Sequence, residues 1–460
     1  MVFCLLTYTV SPLFAENTRY GDMLFGQMAM GLGGAVTAVA GDSEAIFYNP
    51  ASLSSVRGVQ FEGSIQFYGF DRLSLREGFG RGDWFTPRDL HSDQFIARPT
   101  STVMSYQSED RRHSLSLSVF LVNDSEEFFE GRQDQERAGG ASWSQPSKQS
   151  YGVAMNRRDR EIQFGTSYAY SINQDLSIGL SAIISRRDQS WNLASAEWRL
   201  PSDEQNGRFS FTEYESSAKL MDLSGLLKLG LLYRATKRVN LGLACATSSQ
   251  PIQGEGEVMW GTKEGDSEES ATPNLRGGIS DRFTVKSRQP WSCRAGVSWL
   301  ARSWLRLTLD GAYHHSQRYD RLGQGESEIF PREALLTTFP LEVRRRAVTN
   351  LALGVQVKRR HFIWRGGAFT NHSAAEQIPS SPTRAYSPDV DLYGLTTSFA
   401  RRGDALGLNL GLIYQWGDGE DVVFDQLEGI NQGGAGENHR RIRREQQRLI
   451  LFLSGLFNLL

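Results

Sequence analysis

Residues 30 to 53 read Met30-Gly31-Leu32-Gly33-Gly34-Ala35-Val36-Thr37-Ala38-Val39-Ala40-Gly41-Asp42-Ser43-Glu44-Ala45-Ile46-Phe47-Tyr48-Asn49-Pro50-Ala51-Ser52-Leu53. The stretch has neither the alternation of a strand nor the sustained stripe of a helix. Its small residues let backbones approach closely, and Gly31, Gly33, Gly34 and Gly41 can take φ > 0. Asn49-Pro50 fixes a turn, because proline locks its own φ and restricts the residue before it. Such a segment suits a compact plug packed inside something larger.

The rest of the chain reads as that larger object. From Gly58 onward, Val59, Phe61, Ile65 and Phe67 alternate with Gln60, Glu62, Ser64 and Gln66, a period of two. The pattern returns at Leu115, Leu117, Val119 and Leu121, and again from Ile162 to Ile172. A tight Asn173-Gln174-Asp175 turn then leads into Leu176, Ile178, Leu180, Ala182 and Ile184. Further strand pairs flank Ala235-Thr236-Lys237, Ala301-Arg302-Ser303, Arg359-Arg360 and Arg401-Arg402-Gly403-Asp404, and the chain ends on the apolar run Leu449 to Leu459.

Long polar stretches separate these hairpins, at about 71–93, 123–159, 187–215, 248–290, 317–346, 372–389 and 417–446. Short turns at one end and long loops at the other are the asymmetry of an outer-membrane barrel, and the strands come to about fourteen, an even number. One face of each strand is apolar, as in Leu305, Leu307, Leu309 and Tyr313, while Arg306, Thr308, Asp310 and His314 form the other. Trp299, Trp304 and Trp364 stand beside short turns, as an interfacial aromatic girdle would. The expected fold is all-β: a transmembrane antiparallel β-barrel with an N-terminal plug in its lumen.

The run Gly31-x-Gly33-Gly34-Ala35, then Ala38-x-Ala40-x-Asp42, then Tyr48-Asn49-Pro50-Ala51-x-Leu53 resembles the hatch of the FadL family. That family comprises outer-membrane transporters of long-chain fatty acids and other hydrophobic compounds; PorV-like barrels of secretion systems and spirochaetal paralogues open similarly. The resemblance implies a hatch at residues 16–57 and a barrel at 58–460. It also makes Asn49, Pro50 and Ala51, with Gly31, Gly33 and Gly34, the candidate hatch or gating residues. The same three residues equally suit a turn that only anchors the plug.

The implied function is passive uptake of hydrophobic molecules, long-chain fatty acids foremost, into a bacterial outer membrane by a monomeric barrel among outer-membrane lipids. Phe79, Trp84, Phe85, Phe128 and Phe129 stand out as apolar residues in polar loops and are candidates for capturing the acyl chain. Arg294 or Arg306, facing inward, is a candidate for the carboxylate. The alternative is a PorV-like shuttle or scaffold for exported proteins. The third strand, Ser114 to Val122, contains no glycine, so it lacks an obvious kink through which relatives release ligand sideways.

Composition narrows the alternatives. A net charge of −2 gives no basic field for nucleic acid. No run of eighteen apolar residues is present to make a membrane helix, and a mean hydropathy of −0.40 is compatible with strands that carry one apolar face. Residues 1–15 read as a secretory signal whose basic start is missing. No catalytic set, metal-ligand spacing or cofactor motif emerges: Gly31-x-Gly33-Gly34 lacks the GK[ST] and the preceding strand of a phosphate loop. His314 and His315 are adjacent, so in a strand they face opposite ways and cannot share a metal.

Three smaller features carry expectations of their own. Cys245 and Cys293 fall on outward faces of neighbouring strands, where small apolar packing is the expected role and a disulfide the alternative. The acidic run 264–269 suits a solvated loop or Ca²⁺. The basic runs 344–346 and 439–444 suit solvated loops or anionic headgroups.

Overall fold

The computed structural model describes residues 18–39, 44–79, 88–137, 147–201, 209–266, 274–321, 342–382, 386–402, 406–424 and 439–458. The expected signal segment 1–15 and the candidates Trp84 and Phe85 lie outside them, as do Gly41 and residues 267–269.

Six long strands come first: β1 (Val59–Phe79), β2 (Arg88–Gln107), β3 (His113–Arg137), β4 (Ser147–Ser171), β5 (Leu176–Pro201) and β6 (Ser210–Arg234). After β7 (Val239–Ala246), which pairs with the lower part of β6, the chain continues as a hairpin, β8 (Gln250–Asp266) and β9 (Asn274–Thr284), with β8 pairing along the upper part of β6, and returns as β10 (Ser292–Arg302) and β11 (Leu305–His314). A small hairpin of β12 (Gln317–Asp320) and β13 (Glu342–Arg345) precedes β14 (Val348–Arg359) and β15 (Phe362–Asn371). The two-residue β16 (Asp389–Val390), β17 (Leu392–Arg402), β18 (Leu406–Phe424) and β19 (His439–Asn458) complete the order.

The barrel consists of β1–β7, β10, β11, β14, β15 and β17–β19, fourteen antiparallel strands, closed where β1 pairs with β19 from Gln60↔Asn458 to Leu75↔Arg444. Closure removes the free edges that so many strands would otherwise expose. Its outer surface is apolar at membrane depth: Leu408 and Leu410 on β18, and Leu307 and Leu309 on β11, all point outward. Trp299, Trp304 and Trp364 are exposed at the short-turn end. The turns there use the expected chemistry: Asn173 Oδ1 accepts from the amides of Asp175 and Leu176, and Thr236 Oγ1 from those of Arg238 and Val239.

The wall is lopsided. Strands β1–β6, β18 and β19 run 19 to 26 residues, whereas β7, β10, β11, β14, β15 and β17 run only 8 to 12. About ten tilted residues span a bilayer, so the long strands stand well above it. This corrects the reading of 71–93, 123–159 and 187–215 as long loops, since most of their described residues are strand. Above the bilayer the pattern inverts. The outer face meets water and carries ion pairs such as Arg72–Asp93 and Arg76–Asp89. The inner face becomes apolar, with Leu73, Leu75, Phe79, Leu90, Phe129, Tyr151 and Met155 in one cluster.

Two further expectations change. Cys245 and Cys293 are opposite one another on β7 and β10 and are bonded, with Cα atoms 4.1 Å apart. Direct cross-strand register, which places the two Cβ atoms in bonding range, decides against simple apolar packing. The basic runs are ion-paired among the described residues: Arg344 with Glu342, Arg346 with Asp389, Arg441 with Glu420 and Arg443 with Asp418, all with exposed arginine side chains. Arg444, by the alternation of its strand, faces inward to Asp421.

Candidate functional site

The N-terminal segment packs against lumen-facing residues around much of the barrel. A single helical turn, α1 (Gln27–Gly31), is followed by Gly33 and Gly34 at φ of +64° and +85°, values that favour glycine. Gly31 is helical rather than left-handed, and its lack of a side chain serves close packing against Arg365 and Ser398. Lumen-facing glycines on successive wall strands receive the segment's backbone. A methyl group on Gly179 or Gly230 would overlap Pro50, Asn49 or Ala51; one on Gly242 would overlap Thr37, and one on Gly367 would overlap Leu32 and Gly33.

Polar pins complete the seat. Asn49 is fully buried and caps the 3-10 turn Pro50–Ser55, its Oδ1 accepting from the Ala51 amide at 3.0 Å. Its Nδ2 donates to the carbonyls of Thr37 (2.8 Å) and of Leu231 on β6 (3.0 Å). Asp310 Oδ2 accepts from the amides of Val36 and Thr37 and from the Thr37 hydroxyl at 3.0, 2.8 and 2.6 Å. Near the start of the segment, Asp22 is gripped by Arg19 at 2.8 Å and faces Arg448 at 3.6 Å. Burial alone would raise its carboxyl, but the two guanidiniums outweigh that and hold it at about 2.

The opposite sector of the wall is built differently. Strands β2 and β3 share a ladder only from Ser101↔Phe120 to Gln107↔Ser114, although both continue towards the tall end. Pro99 lies just beyond the last rung and has no N–H to offer. The β1–β2 register shifts beside it, between Ser64 and Ile65, and the β3–β4 register shifts between Leu121 and Asn123. A proline and bulges thus produce the break for which a glycine was missing. We call this break the seam. At its foot, Phe25 and Phe47 of the N-terminal segment meet Phe120 of β3, with ring centroids 4.5 to 5.2 Å apart. Leu121, Val122 and Ile162 join the same apolar cluster.

Beside that cluster lies a cavity of about 150 Å³ whose lining includes Val122 and Asn123 of β3. Its charged lining is Arg19, Arg187, Lys228, Arg288, Arg294, Arg345 and Glu161, with Arg19 and Arg187 paired to Asp22 and Asp159 and Arg294 lying 3.9 Å from Asp310. Lys228 Nζ donates to the Phe47 carbonyl at 2.5 Å and lies over the Phe47 ring, with no carboxylate in ion-pair range among the described residues. Arg294 donates to the Gly34 carbonyl at 3.2 Å and stacks over Tyr48. His314 stacks on Tyr20 inside, and His315 on Trp291 outside, as opposite faces require.

The candidates from sequence are therefore scattered. Arg294 is in the cavity, whereas Arg306 sits nearer the short-turn end and does not line it. Phe79 and Phe129 are buried in the upper apolar cluster, but Phe128 is 48% exposed on the outer face of β3; as strand residues, none of the three is the loop residue expected. Beneath the cluster, buried ion pairs line the inner wall: Arg444 with Asp421 of the neighbouring β18 at 2.8 Å and Arg448 with Asp71 of the neighbouring β1 at 2.6 Å, while Arg444 also reaches past two strands to Glu127 of β3. Lys228, Asp310 and Pro99 were missed. Each breaks its local pattern, a lone cation or acid on a lumen face or a proline inside a strand.

No protein-family model and no curated protein matches this chain. Solved structures do. A FadL homologue from Pseudomonas aeruginosa superposes with a TM-score of 0.63 at 12% identity, covering 95% of this chain and 99% of that one. The toluene transporter TodX of P. putida gives 0.57 at 14%, covering 94% and 98%. The monoaromatic hydrocarbon channel CymD gives 0.52 at 13%, covering 94% and 97%. The resemblance read from the N-terminal motif thus holds for the fold of the whole chain.

Proposed function

We propose that this barrel lies in a bacterial outer membrane and passively takes up amphipathic carboxylates, long-chain fatty acids foremost. The observation that carries the reading is Lys228, a half-buried cation with no carboxylate in ion-pair range among the described residues, beside Arg294 in a cavity set against the aromatic cluster at the foot of the seam. Lys228 and Arg294 would receive the carboxylate. The acyl chain would lie on apolar surface, gaining about 0.8 kcal/mol per buried CH₂. Neighbours that take up hydrophobic molecules support the general activity. The cation of Lys228 favours an acid over a neutral hydrocarbon.

In this reading the N-terminal segment is the hatch. Asn49, Pro50 and Ala51 anchor it to β5 and β6, with Gly31, Gly33 and Gly34 forming its seat, and the face carrying Phe25 and Phe47 is the part that yields. Ligand arrives over the upper apolar residues Phe79 and Phe129. The Arg444–Glu127 bridge and the charges beside it make the straight path costly for an acyl chain, and it leaves through the seam. The test is uptake of radiolabelled oleate by cells lacking their own fatty-acid transporter and expressing this chain. Native protein should restore uptake, and Lys228→Gln should lower it about tenfold, the worth of roughly 1.4 kcal/mol of lost head-group binding. Uptake equal to that of empty-vector cells, with folded barrel present in the membrane, would overturn the proposal.

A further inference from the structure

Beyond the last rung at Ser101↔Phe120, the backbone groups of β2 and β3 that would have faced each other have no ladder. Side chains take its place. Arg98 of β2 reaches Asp124 of β3, Nη1 to Oδ2 at 2.8 Å, and the same Nη1 donates to the Asp124 main-chain carbonyl. Further up, the Phe128 amide donates to Ser92 Oγ at 3.0 Å. Arg98 therefore satisfies both a carboxylate and a β3 carbonyl left without its strand partner.

The position of this pair matters as much as its bonds. Along β2 it falls between Met104 and Phe95, both pointing outward from the apolar surface. Ionisable groups at such depth are costly and persist where they pair for a purpose. Apolar surface adjoins the pair on both sides. Inside is the cluster of Phe120, Leu121 and Ile162; outside is a trough lined by Met104, Leu117, Val119, Phe164 and Ile184.

We propose that Arg98 and Asp124 form a latch that holds the seam closed and sets how readily hydrophobic ligand leaves the barrel sideways. The inference rests on the seam as the exit named above. A main-chain ladder opens only by local unfolding, whereas one ion pair breaks and reforms without loss of the fold, so it suits a passage that must reseal. Arg98 and Asp124 are positioning residues in this scheme; they order the wall and do not carry the ligand.

The test uses the full chain in lipid nanodiscs and needs no ligand. Arg98→Ala and Asp124→Ala should each speed amide hydrogen exchange in residues 88–100 and 121–130 by about tenfold, with the Ser101–Gln107 rungs and residues 44–55 unchanged. The exchanged pair, Arg98→Asp with Asp124→Arg, should return exchange towards the native rate, which separates loss of the latch from damage to the fold. Unaltered exchange in either single variant, or an exchanged pair as fast as the singles, would overturn the latch. Absence of oleate uptake by the native protein would instead refute the transport reading and leave the exchange result standing.

Discussion

From β5 round to β15 the wall meets the N-terminal segment backbone to backbone; between β2 and β3 it is held by side chains. On the first side, glycines remove every atom that would separate wall from segment, and Asn49 and Asp310 pin what lies there. The bond between Cys245 and Cys293 ties two strands of the same sector. On the second side, Pro99 and two register shifts end the ladder, and Arg98 with Asp124 spans the remainder. The difference teaches where motion is affordable. Dense main-chain contact has no partly open state, whereas a side-chain bridge over apolar surface does.

The strongest way to break this contrast is to cut the disulfide. Cys245→Ser with Cys293→Ser should lower unfolding stability in detergent by about 2–4 kcal/mol, read from the urea midpoint, while exchange at the seam stays native. Faster exchange at the seam would show that the two sectors are coupled after all. Next is Gly242→Val, whose side chain would collide with Thr37. Overpacking of this kind costs about 1–3 kcal/mol, and the N-terminal segment should become open to protease; full protection would show that the seat is looser than its geometry.

A pH dependence follows from Asp22. Its carboxyl is held at about 2, below the ordinary 3.8, so its contribution to seating is present above pH 4 and lost as pH falls towards 2. Nearly two units correspond to about 2 kcal/mol. Protection of the segment from exchange should therefore be flat from pH 7 to 4 and fall below that; Asp22→Asn should abolish the fall, and an unchanged fall in that variant would assign it elsewhere. The smallest effect belongs to Asn49→Ala. Losing the cap, the bond to Thr37 and the wall bond to Leu231 should cost about 1–2 kcal/mol, seen as faster exchange at residues 49–55. Altered oleate flux in the same variant would make Asn49 part of the moving gate; unaltered flux in a folded barrel would leave it an anchor.

The period of two, the short turns and the glycine-rich segment made the barrel and its occupant legible, because each follows from local backbone chemistry. Residues 71–79 and 123–137 were read as loop because the sign of the pattern depends on what lies outside the wall. Water there makes Arg72 the outward residue and Leu73 the inward one. Phe128 and Phe129 look equivalent in a polar run, yet strand parity sends one out and the other in. The cysteine pair lies 48 residues apart, and only the placing of the β8–β9 hairpin above β7, on the upper part of β6, lets β7 and β10 be neighbours. Pro99 was visible, but its meaning depended on which strand lost its partner.

Ligand should loosen the seam and leave the anchored part of the seat alone. Hydrogen exchange of the native protein in nanodiscs, with and without saturating oleate, tests it directly. Oleate should speed exchange in residues 88–100 and 121–130 while residues 49–55 keep their protection. Exchange that quickens at residues 49–55 with the seam unchanged would contradict it.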